Sequence, residues 1–371
     1  MNGLKKWITL ALAGAMALSL TACGQSAGSS AASGSGAASG SGASSSQAEA
    51  SDDAASFSVA ALKGPTAMGL VKLMQDSDDR TAALLSSTYS PDQGAEADSV
   101  LQSQNVYTFT LAGSADEVTP SLISGELDMA CVPANMAAAL YSKTEGQIQV
   151  LAVNTLGVLY LVENGDTVHS MADLKGKTIV SAGKDSTPEY ALRYLLSQNG
   201  VDPDKDVTID WKSEHSECVA ALASGAATIA MLPQPFVTVA QTKIEGLRTA
   251  LDLTEQWDAL NNGSALITGV VVARRDVTQA HPGAVDAFLT DYAASVNWVN
   301  ANTADAAQLI AQYGIVDAAP VAEKALPYCN IVCVTGSEMR SKLSGYLSVL
   351  AEQNPKSVGG ALPGDDFYYG A

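Results

Sequence analysis

"LISGELDMACVPANM", residues 122–136, and "LASGAATIAMLPQPF", residues 222–236, carry one pattern twice. Leu122/Leu222, Ser124/Ser224, Gly125/Gly225, Ala130/Ala230 and Pro133/Pro233 align at a constant offset of 100 residues. Gly125 and Gly225 stand where a helix needs a left-handed residue just past its end. "LDMACV" and "ATIAML" are short apolar runs suited to strands buried on both faces. Proline then ends each strand, because it cannot donate to a central ladder. A repeat of helix end, buried strand and Pro stop predicts two similar α/β lobes.

The echo extends upstream. "GPTAMGLVKLM" and "DSTPEYALRYLL" share a layout in which a threonine stands beside a Pro-led helix start after a strand. β-branched runs alternate with helical patterns throughout, so the fold class is α/β. In open α/β sheets ligands bind beyond the carboxyl ends of the strands. Here those ends are "KGPT", "AGSADE" and "VPAN" in the first half, and "GKDST", "KSEHSE" and "LPQP" in the second. The candidate ligand-binding residues in these loops are Thr66, Gly113, Ser114, Asp116, Asn135, Ser186, Thr187, His215 and Gln234, with Thr155 on a crossing strand. Singly, most read as caps, turns or strand terminators. Jointly, six polar loops on one side of two similar lobes point to a cleft for a small molecule. Phe236 and Tyr190 are candidates for an apolar or stacking wall, Tyr190 equally for the core.

The amino terminus has Lys5 and Lys6, an apolar run from Trp7 to Leu20, and then Thr21-Ala22-Cys23. The run is too short for a membrane span and reads as a secretory signal over residues 1–22. A Cys directly after small residues matches a bacterial lipoprotein box, so Cys23 is the expected lipidated terminus. Residues 24–50 are almost all Gly, Ser and Ala, a flexible tether within the segment 23–56. The expected location is outside the cytoplasm, anchored to the cell membrane. With 39 acidic against 20 basic residues the chain carries a formal charge of −19, and loss of the leader removes two lysines more. That charge excludes nucleic acid as a partner. It also makes the cleft unwelcoming to a highly charged anion, because Asp116, Glu214 and Glu217 face only Lys63 and Lys184. A neutral heterocycle, or a ligand with one modest anionic group, fits better.

Catalytic patterns fail. Gly176-Lys177-Thr178 lacks the earlier glycine of a phosphate loop and leads into a strand. His169, His215 and His281 are scattered, without zinc spacing, and no serine sits in a nucleophile elbow. No catalytic residue, metal or cofactor is expected. Cys131 and Cys218 read as buried side chains. Cys329 and Cys333 in "YCNIVCV" would lie about 13 Å apart on a strand, too far for a disulfide.

The stretches "GPTAMGL", "GELDMACVPAN", "VLYLV", "MADLKGKTIV", "KDSTPEYAL", "HPGAVDAFLTDY" and "LPGDDFYY" resemble the extracytoplasmic substrate-binding proteins of ABC importers, in the nitrate/sulfonate/taurine and thiamine-precursor group. The resemblance implies a type II periplasmic-binding fold. Residues 57–154 and 268–371 would form lobe one and 155–267 lobe two, with the C-terminal helices packed on lobe one. "AVNTLGVLYLV" and "ALITGVVVA" would be the two crossing strands. It also implies a non-enzymatic receptor that delivers ligand to an ABC permease and its ATPase. The alternatives are a sensor of the same fold that signals to a membrane kinase, and an exported enzyme of the precursor-synthase type. The latter's cysteine-rich iron motif is missing here.

Overall fold

The computed structural model describes residues 54–85 and 99–371, so Cys23 and its tether lie outside the described residues. The first half runs β1 (Ser56–Leu62), α1 (Pro65–Met68), α2 (Val71–Leu85), β2 (Val106–Ala112), α3 (Ala115–Ser124), β3 (Met129–Pro133), α4 (Ala134–Lys143) and β4 (Ile148–Leu156). The chain then crosses through Gly157 and Val158 into β5 (Leu159–Glu163), β6 (Thr178–Ala182), α5 (Thr187–Gln198), β7 (Thr208–Lys212), α6 (His215–Ala223), β8 (Ile229–Pro233), α7 (Phe236–Lys243), β9 (Arg248–Asp252) and α8 (Leu253–Asp258). It returns along β10 (Ile267–Arg274) to α9 (Arg275–Ala280), α10 (Pro282–Ala301), α11 (Thr303–Gln312), α12 (Ala319–Ala325), β11 (Ile331–Val334) and α13 (Gly336–Gln353).

The repeat read in the sequence is a repeat of topology. One sheet has the order β11-β4-β10-β3-β1-β2 and the other β7-β6-β8-β5-β9. β1 pairs in parallel with β2 and β3, and β6 in parallel with β7 and β8. An antiparallel strand follows in each, β10 beside β3 and β5 beside β8. Each of these two strands follows directly on a crossing from the other lobe. The fold is thus of the type II kind, two similar α/β lobes joined by two crossings.

Gly125 (φ 88°) and Gly225 (φ 74°) are left-handed, the conformation that a helix end followed at once by a strand demands. Central strands bury both faces. In β10, Val270 and Val272 join one core cluster while Val271 and Ala273 join the cluster on the opposite face. α10 docks through the buried carboxylate of Asp291, which accepts from the Gln102 and Ser103 amides (2.9 and 3.2 Å), Ser103 Oγ (2.6 Å) and the Tyr107 hydroxyl (3.0 Å).

Three expectations need correction. The first helix of lobe one is two helices, broken at Gly69, whose bare α-carbon leaves room for the Tyr292 hydroxyl and for Ile331 and Val296. Cys329 caps a 3₁₀ turn and precedes β11, so "YCNIVCV" is not one strand; Cys131, Cys218, Cys329 and Cys333 are all free thiols. α13 does not pack on lobe one alone. It touches α4, β4 and α5, and its fully buried Tyr346 lies 5.7 Å, ring centre to ring centre, from Trp257 of lobe two.

Candidate functional site

Below the lobe-one loops, the end of β1 is tied to the crossing. The Thr66 hydroxyl donates to Leu62 O (2.9 Å), Asn154 Nδ2 donates to Thr66 O (3.1 Å), and Thr155 Oγ1 donates to Asn154 Oδ1 (3.0 Å). Asn154 and Thr155 are fully buried and Thr66 is nearly so. Thr66 and Thr155 are therefore held inside the fold, tied to the crossing through Asn154. After β2, Gly113, Ser114 and Asp116 are exposed, and both the amide and the hydroxyl of Ser114 donate to Glu117 Oε1 at 3.1 Å. After β3, Asn135 is the second residue of α4 and half-buried.

In lobe two, β6 ends at Ala182, and Gly183 (φ 86°) and Asp185 (φ 60°) make the turn into α5. Ser186 occupies the cap position, but its hydroxyl donates back to Gly183 O (2.6 Å) instead of accepting from the helix. Glu189 serves that turn, accepting the Asp185 amide at 2.7 Å and pairing with Arg193 at 2.8 Å. Thr187 precedes Pro188 whereas Thr66 follows Pro65, so the two threonines are not equivalent positions. Tyr190 belongs to the core, its hydroxyl accepting from Asn354 Nδ2 at 3.0 Å.

At the next strand end, the Ser213 amide donates to Glu217 Oε2 (3.0 Å), and His215 opens α6. Its ring lies 5.2 Å from that of Phe236, tilted by 43°. Burial pushes the imidazole down to about 4 from its ordinary 6.5. His215 Nδ1 is buried without a hydrogen-bond partner. Gln234 is buried, its amide donating to Val158 O (2.9 Å) and its Oε1 accepting from Thr238 Oγ1 (2.9 Å).

The two sets of strand ends meet at one point. Thr187 Oγ1 of α5 donates to Asn135 Oδ1 of α4 at 3.4 Å, and the Tyr346 hydroxyl of α13 donates to Thr187 Oγ1 at 3.3 Å. These are long bonds and individually weak. They nonetheless bring the carboxyl end of β6 against that of β3. Tyr346 was not legible as a site residue, since its apolar stripe marks it only as core. Two hollows lie elsewhere, each on one face of lobe one: about 540 Å³ beside Leu289, Ala293, Cys333 and Thr335, and about 380 Å³ beside Met74, Phe109, Leu111 and Tyr313. Neither is lined by a strand-end loop residue from both lobes. Among the described residues no group of three or more His, Cys, Asp or Glu side chains could hold a metal ion.

Comparison with known proteins bears on this arrangement. Residues 101–326, more than half of the chain, match the family described as ABC transporter, phosphonate, periplasmic substrate-binding protein. The binding protein YtlA of Bacillus subtilis is 26% identical over 133 residues, 34% of this chain; the match spans 39% of that relative's length. Among solved structures, an ABC transporter protein from Parabacteroides distasonis superposes with a TM-score of 0.67 at 22% identity, covering 85% of this chain and 99% of the other. The periplasmic aliphatic sulphonate binding protein SsuA of Escherichia coli gives 0.62 at 16% identity, covering 82% and 90%. At those identities the superpositions speak for the fold.

Proposed function

The chain belongs to the family of periplasmic substrate-binding proteins of ABC phosphonate transporters, and on that premise we propose that it captures a small molecule between its lobes and delivers it to an ABC permease and its ATPase. The observation that carries this reading is the contact of Thr187 with Asn135, which turns the strand ends of both sheets toward one space. Residues 57–154 with 268–371 would move as one body and 155–267 as the other. The ligand would touch Gly113, Ser114, Asp116 and Asn135 from the first side and Ser186, Thr187, His215 and Gln234 from the second, with Thr66 and Thr155 as its floor. It would be heterocyclic or modestly anionic, and would be released unchanged, as a receptor releases its cargo. Affinity that resides in the closed form makes ligand a population shift between open and closed.

Lipidation at Cys23 would keep the receptor at the membrane; Cys23→Ala should release it into the soluble fraction or block maturation, and unchanged retention would reject the anchor. For the receptor itself, a thermal-shift screen across phosphonates, sulfonates, nitrate and heterocycles is the direct test. A ligand at a hundred times its Kd stabilises by about 2.7 kcal/mol, a rise of roughly 4 °C for a body of this size. A hit whose affinity ignores both Thr187→Ala and Phe236→Ala would reject the cleft.

A further inference from the structure

We propose that the lobe-two wall of the cleft, made by His215 and Phe236, selects an uncharged planar ring with a hydrogen-bonding edge, and that the cleft disfavours oxyanions. This inference rests on the cleft reading above.

Strand order supplies the first argument. β7 and β8 flank β6, so their ends stand about 10 Å apart. His215 opens the helix after β7 and Phe236 the helix after β8, yet their rings come within 5.2 Å. The ring pair therefore stands at the carboxyl edge of the lobe-two sheet, the edge at which β6 also ends. Phe236 and His215 are both only partly buried, so this aromatic surface is not sealed inside the lobe.

The orphan nitrogen is the second argument. Buried polar atoms are nearly always hydrogen-bonded, and His215 Nδ1 is not. An imidazole kept neutral by burial offers one donor and one acceptor, which suits the edge of an uncharged heteroaromatic ring. It offers no positive charge to an oxyanion.

Third, the helix starts that would otherwise attract an anion already hold carboxylates. Glu117 takes the Ser114 amide, Glu189 the Asp185 amide and Glu217 the Ser213 amide. A helix amino end is worth about half a positive charge, less than the full negative charge each glutamate brings. Only Glu189 is offset, by Arg193 at 2.8 Å. The starts of α3 and α6 are therefore net negative, with Asp116 and Glu214 exposed beside them. The six loops contain three lysines, Lys63, Lys184 and Lys212, and no arginine, and Lys212 is already paired with Asp210 at 2.8 Å. The start of α5 is left as the place for one polar group of the ring.

The test uses the full chain freed of its leader and two probe classes at equal concentration. Nicotinamide and cytosine serve as uncharged rings; methylphosphonate, ethanesulfonate and nitrate serve as oxyanions. Calorimetry should register the rings and not the oxyanions. Phe236→Leu, which keeps apolar bulk, and His215→Asn, which keeps a hydrogen-bonding edge, should each weaken ring binding tenfold or more with the fold intact by circular dichroism. Oxyanion binding that is lost in Thr187→Ala would overturn the proposal while leaving the cleft reading in place. Ring binding indifferent to Phe236→Leu, His215→Asn and Thr187→Ala would overturn both. Silence of every uncharged ring would overturn the proposal.

Discussion

Gly269→Ala tests how the crossing packs against Thr66 and Asn154. Gly269 lies in β10, paired with Pro133 of β3 on one side and Thr155 of β4 on the other. A methyl group there would overlap Thr66 Cγ2 and approach Asn154 Oδ1 to 2.5 Å. Neither neighbour can retreat freely. Thr66 is held by its bond to Leu62 O at 2.9 Å, and Asn154 bridges Thr66 O at 3.1 Å and Thr155 Oγ1 at 3.0 Å. Overpacking a core position costs about 1–3 kcal/mol, and breaking one of these bonds adds about 1 kcal/mol. The stiffer unfolded chain of alanine returns roughly 0.4–1 kcal/mol. The net is a loss of about 1–3.5 kcal/mol, which calorimetric melting should read as a fall in Tm of roughly 2–5 °C. Thr66→Ser removes the overlapping methyl and should recover part of that loss in the double variant. A Gly269→Ala protein that melts with the parent would refute the packing argument.

Two further outcomes follow from the site. His215 is held at about 4 in the folded chain against an ordinary 6.5, so between those values the unfolded chain binds more protons. Stability is complete above pH 6.5 and falls as pH drops toward 4, by at most about 3 kcal/mol. Urea midpoints at pH 7 and pH 4.7 should show the fall, and His215→Asn should remove it. Glu163 contributes only at lower pH: burial pushes its carboxyl up, but Thr167, Val168 and Arg248 together hold it below the ordinary carboxylate range. Thr187→Ala should cost no more than about 1 kcal/mol of stability, because Thr187 is the first helical residue and not the cap. It should weaken ligand about tenfold, and a double-mutant cycle with Asn135→Ala should show coupling. Zero coupling would mean that the lobes do not meet at this pair in solution.

The parts of the fold that were legible are those governed by local chemistry. Gly125, Gly225, Pro133 and Pro233 punctuate helix and strand wherever they occur, so two residue strings 100 apart announced two similar lobes, whose common strand order the structure supplies. The spacing of Ser114 and Glu117 is that of a capping box, legible in principle from the sequence. Tertiary contacts decided the rest. The helix breaks at Gly69, against whose bare α-carbon Tyr292, Ile331 and Val296 pack. Tyr346 reaches Thr187 because α13 lies against both lobes, which an apolar stripe cannot announce. Ser186 looks like a cap by residue type, yet the left-handed turn at Gly183 and Asp185 points its hydroxyl backward.

Hydrogen–deuterium exchange, run with and without the compound that gives the largest thermal shift, tests the central claim most directly. Ligand held between the lobes should slow exchange at both sets of strand-end loops together, 113–118 and 134–138 on one side and 184–190, 213–218 and 234–238 on the other. Protection confined to a single lobe, or to the outer face where α10 meets β11, would contradict the account.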